Sequence, residues 1–305
     1  MGATMAWDDA TVLATEALAQ PVMIEGGHRV TALTLNSTGN RLAAGFDDGD
    51  VWVIDPDGGR VLHRLSGLED CIGAVAVTHD GSAVIAAVRD AATARMWLWD
   101  LDTGETVRRF HNKQGVVLAA LGRDGEYGLT VDHGHVYRWG VHLPDGGKSF
   151  RAYELDAGTP MSSAVSSDAS HVAIGSGEGH LRTFDLEAAT AGVFVDCGAP
   201  VRAVGLTPDA TLVLSADDDR TVRVWDTGTG DHLHALQGHT QPVQEIGVDE
   251  SGSRVVTIAG DGTARLWDLT SGRSLNTIQG DVALTACAAF ASGTVLLGDD
   301  DGRIY

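Results

Sequence analysis

A chain of 305 residues with 43% hydrophobic and 21% charged side chains carries enough apolar material to fill a core, which excludes a disordered polymer. Lys and Arg number 21 against 42 Asp and Glu, a formal charge of −21 that repels phosphate backbones and excludes nucleic acid as a general partner. The three cysteines, Cys71, Cys197 and Cys287, are too far apart in sequence for a zinc motif or a disulfide framework, so free thiols in a reducing compartment are expected.

Residues 1–20, MGATMAWDDATVLATEALAQ, carry acids where a secretory signal needs positive charge. They read as an N-terminal extension, either a short docked helix or a tail, in which Trp7-Asp8 is an isolated match to the pattern described below. PVMIEGG (21–27) then reads as a short strand. After it come apolar runs of strand length: TALTL, RLAAGF and VWVID; GAVAV, SAVIAAV and RMWLWD; HVYRWG; HVAIGS and HLRTFD; VRAVGL, TLVLSA and TVRVWD; VQEIGV, RVVTIA and TARLWD. Gly and Asp punctuate the gaps, as tight hairpin turns require. The last apolar stretch, VALTACAAFASGTVLLG (282–298), approaches the ~18-residue length of a membrane span. Ala-Ser-Gly at 291–293 divides it, so two buried strands and a turn are expected and no membrane association. Only two lysines stand against nineteen arginines, and Ala and Gly abound, which points to a GC-rich bacterial source and a soluble cytoplasmic chain.

The runs repeat. Ile54-Asp55, Trp99-Asp100, Trp139-Gly140, Phe184-Asp185, Trp225-Asp226 and Trp267-Asp268 each close a strand-like run, at intervals of 45, 40, 45, 41 and 42 residues. Each has two apolar runs before it and one after it, as in HLHALQGH (232–239). Four short strands in about 42 residues, without a long helical pattern, mark an all-β chain built of propeller blades. Aligning Gly302 with Gly262 places Tyr305 inside the third strand of a seventh unit.

The spacing, the Trp-Asp endings and Gly238-His239 resemble the WD40-repeat β-propellers, over about residues 22–305. The resemblance implies one seven-bladed propeller domain over 21–305, its ring closed by an N-terminal strand that completes the last blade. It also implies a hydrogen-bonded set in the sixth unit, His239, Thr257, Asp261 and Trp267. There the Asp accepts from the His, the His accepts from the hydroxyl, and the indole N–H donates into the chain. Asp268 would serve backbone N–H groups of a nearby turn. The fifth unit keeps Ser215, Asp219 and Trp225, with Cys197 near the His position. The others keep less: Asp48 with Ala44 and Ile54 in the first, RDAATAR (89–95) in the second, Trp139 with His133-Gly134 in the third, Glu178 with Phe184 in the fourth, and Asp281 with Asp301-Gly302 in the seventh.

Chemistry is sparse. The acidic turns FDDGD (46–50), ADDDR (216–220) and GDDDG (298–302) lack calcium-loop spacing and read as rim acids. DHGH (132–135) straddles a Gly turn, which does not hold two metal ligands on one side of a strand. There is no Gly-x-Ser-x-Gly, no phosphate-cradling glycine loop, and nothing that activates Ser162, Ser163, Ser166 or Ser167. No catalytic residue, metal or cofactor is assigned. What remains is a surface for a protein partner, built from the loops into the first strands and the second-to-third turns: His28, Arg29, Asp47, Glu69, Asp70, Lys113, Gln114, Asp217, Asp218, Thr240, Gln241, Asp299 and Asp300. The ending ALTACAAFASGTVLLGDDDGRIY also resembles the final repeat of WD-repeat regions in bacterial STAND-type ATPases, where the propeller is a sensor; the P-loop of those proteins is not in this sequence. The expectation is a monomeric, non-catalytic protein–protein interaction scaffold or sensor module. The alternative is a metal-dependent hydrolase or lyase site near the central channel.

Overall fold

The computed structural model describes residues 22–23, 28–36, 38–56, 59–78, 80–88, 94–112, 118–121, 127–131, 135–140, 151–154, 158–289 and 295–305. Residues 1–20, Lys113, Gln114, RDAATAR up to Thr93, and His133-Gly134 lie outside them.

Within the described residues the apolar runs become strands of seven four-stranded antiparallel sheets. Six sheets take four consecutive strands. The first is Val30–Leu35, Leu42–Phe46, Val51–Asp55 and Arg60–Leu65; the second Ile72–Val77, Ala83–Val88, Ala94–Asp100 and Thr106–Asn112. The third is Leu118–Leu121, Tyr127–Val131, His135–Gly140 and Arg151–Glu154; the fourth Pro160–Val165, His171–Ser176, His180–Asp185 and Thr190–Asp196. The fifth is Ala203–Leu206, Leu212–Ala216, Val222–Asp226 and His232–Leu236; the sixth Val243–Val248, Arg254–Ala259, Thr263–Asp268 and Arg273–Gln279. The seventh joins Leu284–Ala289, Val295–Asp299 and Arg303–Ile304 to Val22–Met23 from the other end of the chain, with Val22 opposite Ile304 and Met23 opposite Arg303. The apolar stretch 282–298 thus supplies two strands, and no helix among the described residues is long and apolar enough to cross a membrane.

Burial follows sequence across each sheet. Second strands such as AVIAAV (83–88) are apolar on both faces and buried throughout, whereas fourth strands such as HLHAL (232–236) alternate and are largely exposed. A strand buried on both faces needs cover on both sides, and the apolar clusters supply it between consecutive sheets. Val51, Val53 and Leu65 of the first sheet pack with Ile72, Val84 and Trp99 of the second. Leu214 and Val224 of the fifth pack with Val255 and Trp267 of the sixth. Val30, Phe46 and Ile54 of the first sheet share a cluster with Ala286, Leu296 and Ile304 of the seventh. The first strand of the first sheet, Val30–Leu35, lies beside both Ile72–Val77 and Leu284–Ala289.

Among the described residues, backbone bonds staple both ends of the fourth, fifth and sixth sheets and one end of others. At one end the second-to-third turn binds the loop entering the first strand: Asp47 N–H donates to Arg29 O (3.1 Å), Gly260 N–H to Pro242 O (3.1 Å) and Asp300 N–H to Ala283 O (3.1 Å). At the other end the residue after the Trp-Asp position donates to the first-to-second turn, Leu101 to Ser82 O, Leu186 to Ser170 O and Leu269 to Ser253 O. That first-to-second turn has a recurring device. Asn36, Thr78, Ser166, Thr207 and Asp249 follow the first strands of their units, are buried, and accept with their side chains the backbone N–H five residues on, at 2.9–3.0 Å. Register is broken at two repeated places. One bulge lies early in the first-to-second pairing, as at Val30/Ala32 and Val243/Glu245; the other lies opposite the Trp position in the third-to-fourth pairing, as at Leu98/Trp99, Val224/Trp225 and Leu266/Trp267.

Glycine is required where the second-to-third turn presses on the next unit. Gly49 has φ +90°, and a Cβ there would overlap the Leu68 carbonyl. Gly39, in a first-to-second turn at φ +74°, faces open space. Gly39→Ala is therefore expected to cost about 1–2 kcal/mol, the left-handed penalty alone. Gly49→Ala should add about 1–3 kcal/mol of overpacking. Urea denaturation of the two variants checks this; equal losses would mean that the turn does not bear on its neighbour.

Candidate functional site

The densest polar constellation among the described residues lies inside the sixth sheet. Trp267 Nε1 donates to Thr257 Oγ1 (2.9 Å), and the Thr257 hydroxyl lies 2.8 Å from His239 Nε2. His239 Nδ1 faces Asp261 Oδ2 at 3.2 Å. The carboxylate at Nδ1 assigns the proton to that nitrogen, so Nε2 accepts from the threonine hydroxyl. The Thr240 N–H (2.7 Å) and the Thr263 hydroxyl (2.6 Å) also donate to Asp261. Burial pushes His239 below its ordinary pKa, against the pull of Asp261. Burial opposes ionisation of Asp261, yet hydrogen bonds from Thr263 and Thr240 and the neighbouring His239 hold it at about 2. With Thr257 fully buried and Trp267 at 2% exposure, this set is a joint of the frame.

The fifth sheet carries a reduced version. Trp225 Nε1 donates to Ser215 Oγ (2.9 Å), and Cys197 stands 3.8 Å from the same hydroxyl in the place His239 takes in the sixth. Asp219 turns away to Arg223 and to the Thr221 N–H. In the fourth unit Glu178 holds the incoming loop directly, accepting from the Thr159 N–H (2.8 Å) and hydroxyl (3.0 Å). Asp268 serves its own hairpin, accepting from the Ser271 N–H and hydroxyl, both at 2.7 Å. In the seventh unit the register places Gly280, and not Asp281, four residues before the first strand, where the sixth has His239.

The residues expected at the loop face divide into three groups. His28, Arg29, Asp47, Glu69, Asp218, Thr240, Gln241 and Asp300 are exposed, and Asp70 is partly so. Several pair with each other or with a framework arginine: Arg29 with Asp300 (3.0 Å), Asp218 with Arg202, and Asp70 with Arg95. Lys113 and Gln114 lie outside the described residues. Asp217 and Asp299 correct the expectation of rim acids, because both are buried. Each is the first acid of its turn, and side chains alternate across the strand end, so this one points inward. Asp217 is neutralised by Arg223 Nη1 (2.8 Å); Asp299 accepts the Tyr305 hydroxyl (3.1 Å) and the N–H groups of Asp301 and Arg303. The arginines that neutralise these turns, Arg95, Arg202 and Arg223, carry no motif, and only their spacing of two residues before the Trp position (Arg223) could have singled one out.

The sequence profile described as "WD domain, G-beta repeat" matches residues 19–55, 192–226 and 230–268. The chain carries WD40 repeats in these three segments. The complete His-Thr-Asp-Trp set falls in the third matched WD40 repeat and the reduced set largely in the second. Among curated proteins the chain is 27% identical over 161 residues to "WD repeat-containing protein SL1-17" of Schistosoma mansoni, covering 52% of each chain. It is 24% identical over 216 residues to "SIR4-interacting protein SIF2" of Saccharomyces cerevisiae, covering 70% of this chain and 34% of that one. It is 24% identical over 194 residues to "Apoptotic protease-activating factor 1" of Rattus norvegicus, covering 63% of this chain and 15% of that one. The match thus spans about half the length of the first of these relatives and less of the other two.

The sixth repeat yields two measurable outcomes. Trp267→Ala should destabilise by about 3–5 kcal/mol, the scale for a buried aromatic, and a loss below about 1 kcal/mol in a denaturant titration would contradict this packing. The second concerns acid. His239 is depressed in the fold, so the unfolded chain takes up its proton first, and stability falls as pH drops below the unfolded value of about 6.5. Asp261 is depressed too, and its contribution goes as pH falls from about 4 through about 2. His239→Gln should therefore flatten the fall of unfolding free energy between pH 7 and 5 relative to wild type; parallel curves would remove His239 from the acid response.

Proposed function

We propose that this chain is a closed, seven-bladed WD40 propeller over residues 21–305 that works in the cytoplasm as a non-catalytic platform for a protein partner. Closure is supported by the cluster shared between the first and seventh sheets, by the pairing of Val22–Met23 with Arg303–Ile304, and by the Arg29–Asp300 ion pair across the same seam. The observation that carries the binding reading is the stapled loop end of the sheets. There His28, Arg29, Asp47, Glu69, Asp218, Thr240, Gln241 and Asp300 are exposed on loops held by backbone bonds to a buried frame. Loops fixed in this way bind with little ordering entropy to lose. A surface so rich in carboxylates favours partners with complementary basic residues.

The printed name of the yeast relative, an interacting protein of SIR4, supports a partner-holding role. A sensor role within a longer protein is supported by the resemblance of residues 283–305 to terminal WD repeats, and by matched regions that form only 34% and 15% of two relatives. Among the described residues, no observation favours the alternative of a metal-dependent hydrolase or lyase site near the central channel.

The test is capture of the native partner from its own cells, followed by substitution. Asp47→Asn, Glu69→Gln, Asp218→Asn and Asp300→Asn together should weaken the purified complex by about tenfold or more, the scale of one interface hot spot. Asp102→Asn, Glu105→Gln and Asp231→Asn, exposed acids at the opposite end of the sheets, should leave it unchanged. The reverse pattern would move the binding surface to that opposite end.

A further inference from the structure

His28 is positioned unlike the histidine of the sixth unit. Val30 and Val243 occupy the same register, opposite Phe46 and Ala259. His239 lies four residues before Val243, but His28 lies only two before Val30. The first unit also has Ala44 and Ile54 where the sixth has Thr257 and Trp267, so no hydroxyl or indole N–H is there to receive a buried imidazole. His28 stands outside instead, with about half of its side chain exposed.

There it sits between two carboxylates. Nδ1 is 3.5 Å from Asp47 Oδ1, and Nε2 is 3.4 Å from Asp48 Oδ2. A neutral imidazole carries one N–H and one lone pair. With an acid near each nitrogen, a neutral ring sets lone pair against lone pair at one of the two contacts unless a proton or a metal cation occupies it. Among the described residues, no lysine or arginine pairs with Asp47 or Asp48; the adjacent Arg29 is taken by Asp300. The arrangement is held from behind. Asp47 N–H donates to Arg29 O, Asp48 Oδ1 accepts the Asp50 N–H (3.0 Å) and leaves Oδ2 toward His28, and the Gly302 turn of the seventh sheet closes on the His28 carbonyl. One ligand atom from each of His28, Asp47 and Asp48 lies within 4.8 Å of the others.

We infer that His28, Asp47 and Asp48 form a site for a first-row divalent metal ion, with one imidazole and two carboxylates as ligands and water completing the coordination. This donor set suits zinc, and an imidazole favours transition ions over magnesium or calcium. A bound ion would neutralise the two acids and tie His28, two residues before the Val30–Leu35 strand, to the second-to-third turn of the first sheet. Metal would therefore strengthen the seam between the first and seventh sheets. The inference is independent of which protein the loop face holds.

Zinc chloride titrated calorimetrically into the full chain tests this, together with melting in the presence and absence of zinc. One equivalent should bind, and saturating zinc should raise the midpoint by about 2 °C or more. His28→Gln should abolish both effects, and Asp48→Asn should weaken binding by about tenfold or more. Asp218→Asn, an exposed rim acid elsewhere, should leave both intact. Because His28 is half exposed, the metal-free melting of His28→Gln should match wild type, and cobalt(II) absorption lost in that variant gives a second readout. Absence of saturable binding below about 1 mM, or binding that survives His28→Gln, would overturn the site and mean that zinc is only scattered over an acidic surface.

Discussion

A small sheet whose middle strands are apolar on both faces cannot stand in water by itself. Fully described second strands such as AVIAAV (83–88) are of this kind, and their cover comes from the neighbouring sheets on either side. Val84, Ala86 and Val88 of the second sheet are buried only because the first sheet brings Val51, Val53 and Leu65 against them. The scale of this term is about 25 cal/mol per Å² of apolar surface removed from water, which makes inter-sheet packing the main stabilising contribution and the local turns its servants. Stability in such an array is a sum over neighbouring interfaces. The seam between the first and seventh sheets is one more interface of the same type, assembled from distant parts of the chain.

Dense packing creates a second problem, because strand ends and turns bring polar groups into the dry region between sheets. The units meet it in different ways. The sixth links an indole, a hydroxyl, an imidazole and a carboxylate in series. The fifth keeps the indole and hydroxyl, and places a thiol where burial raises its pKa and leaves it a poor nucleophile. The fourth uses Glu178 to hold Thr159 without any histidine. The first dispenses with the buried set altogether, and its histidine moves to the surface. Buried polar side chains after the first strands, from Asn36 to Asp249, are constant in position though not in chemistry.

The repeat and the order of strands were legible because Trp-Asp endings, Gly-Asp turns and paired apolar runs recur at nearly constant spacing. Within a unit, the partners of Trp267 were legible for the same reason: each lies at a motif position. Burial of Asp217 and Asp299 was not, since a run of three acids does not say where the strand stops, and the last strand residue decides which acid turns inward. The displacement of His28 was equally hidden, because a two-residue difference in loop length changes nothing in the motif yet separates a core position from a surface one. The ion pairs of Arg95, Arg202 and Arg223 join residues 4 to 25 positions apart in sequence, and only the fold brings them together.

The irregular pairing opposite positions such as Trp99, Trp225 and Trp267 bears on how these molecules meet one another. Among the described residues each sheet ends on a fourth strand with no further strand beside it, a row of backbone donors and acceptors that another chain could adopt as a template. An extra residue such as Leu233 or Leu275 interrupts that row, skews the strand and sharpens its twist. A flat strand from a second molecule could match only a few bonds before the ladder lost step. Breaks of this kind work against edge-to-edge pairing, and the apolar residues at them, exposed at 43% and 36%, stand at separate points of two different sheets.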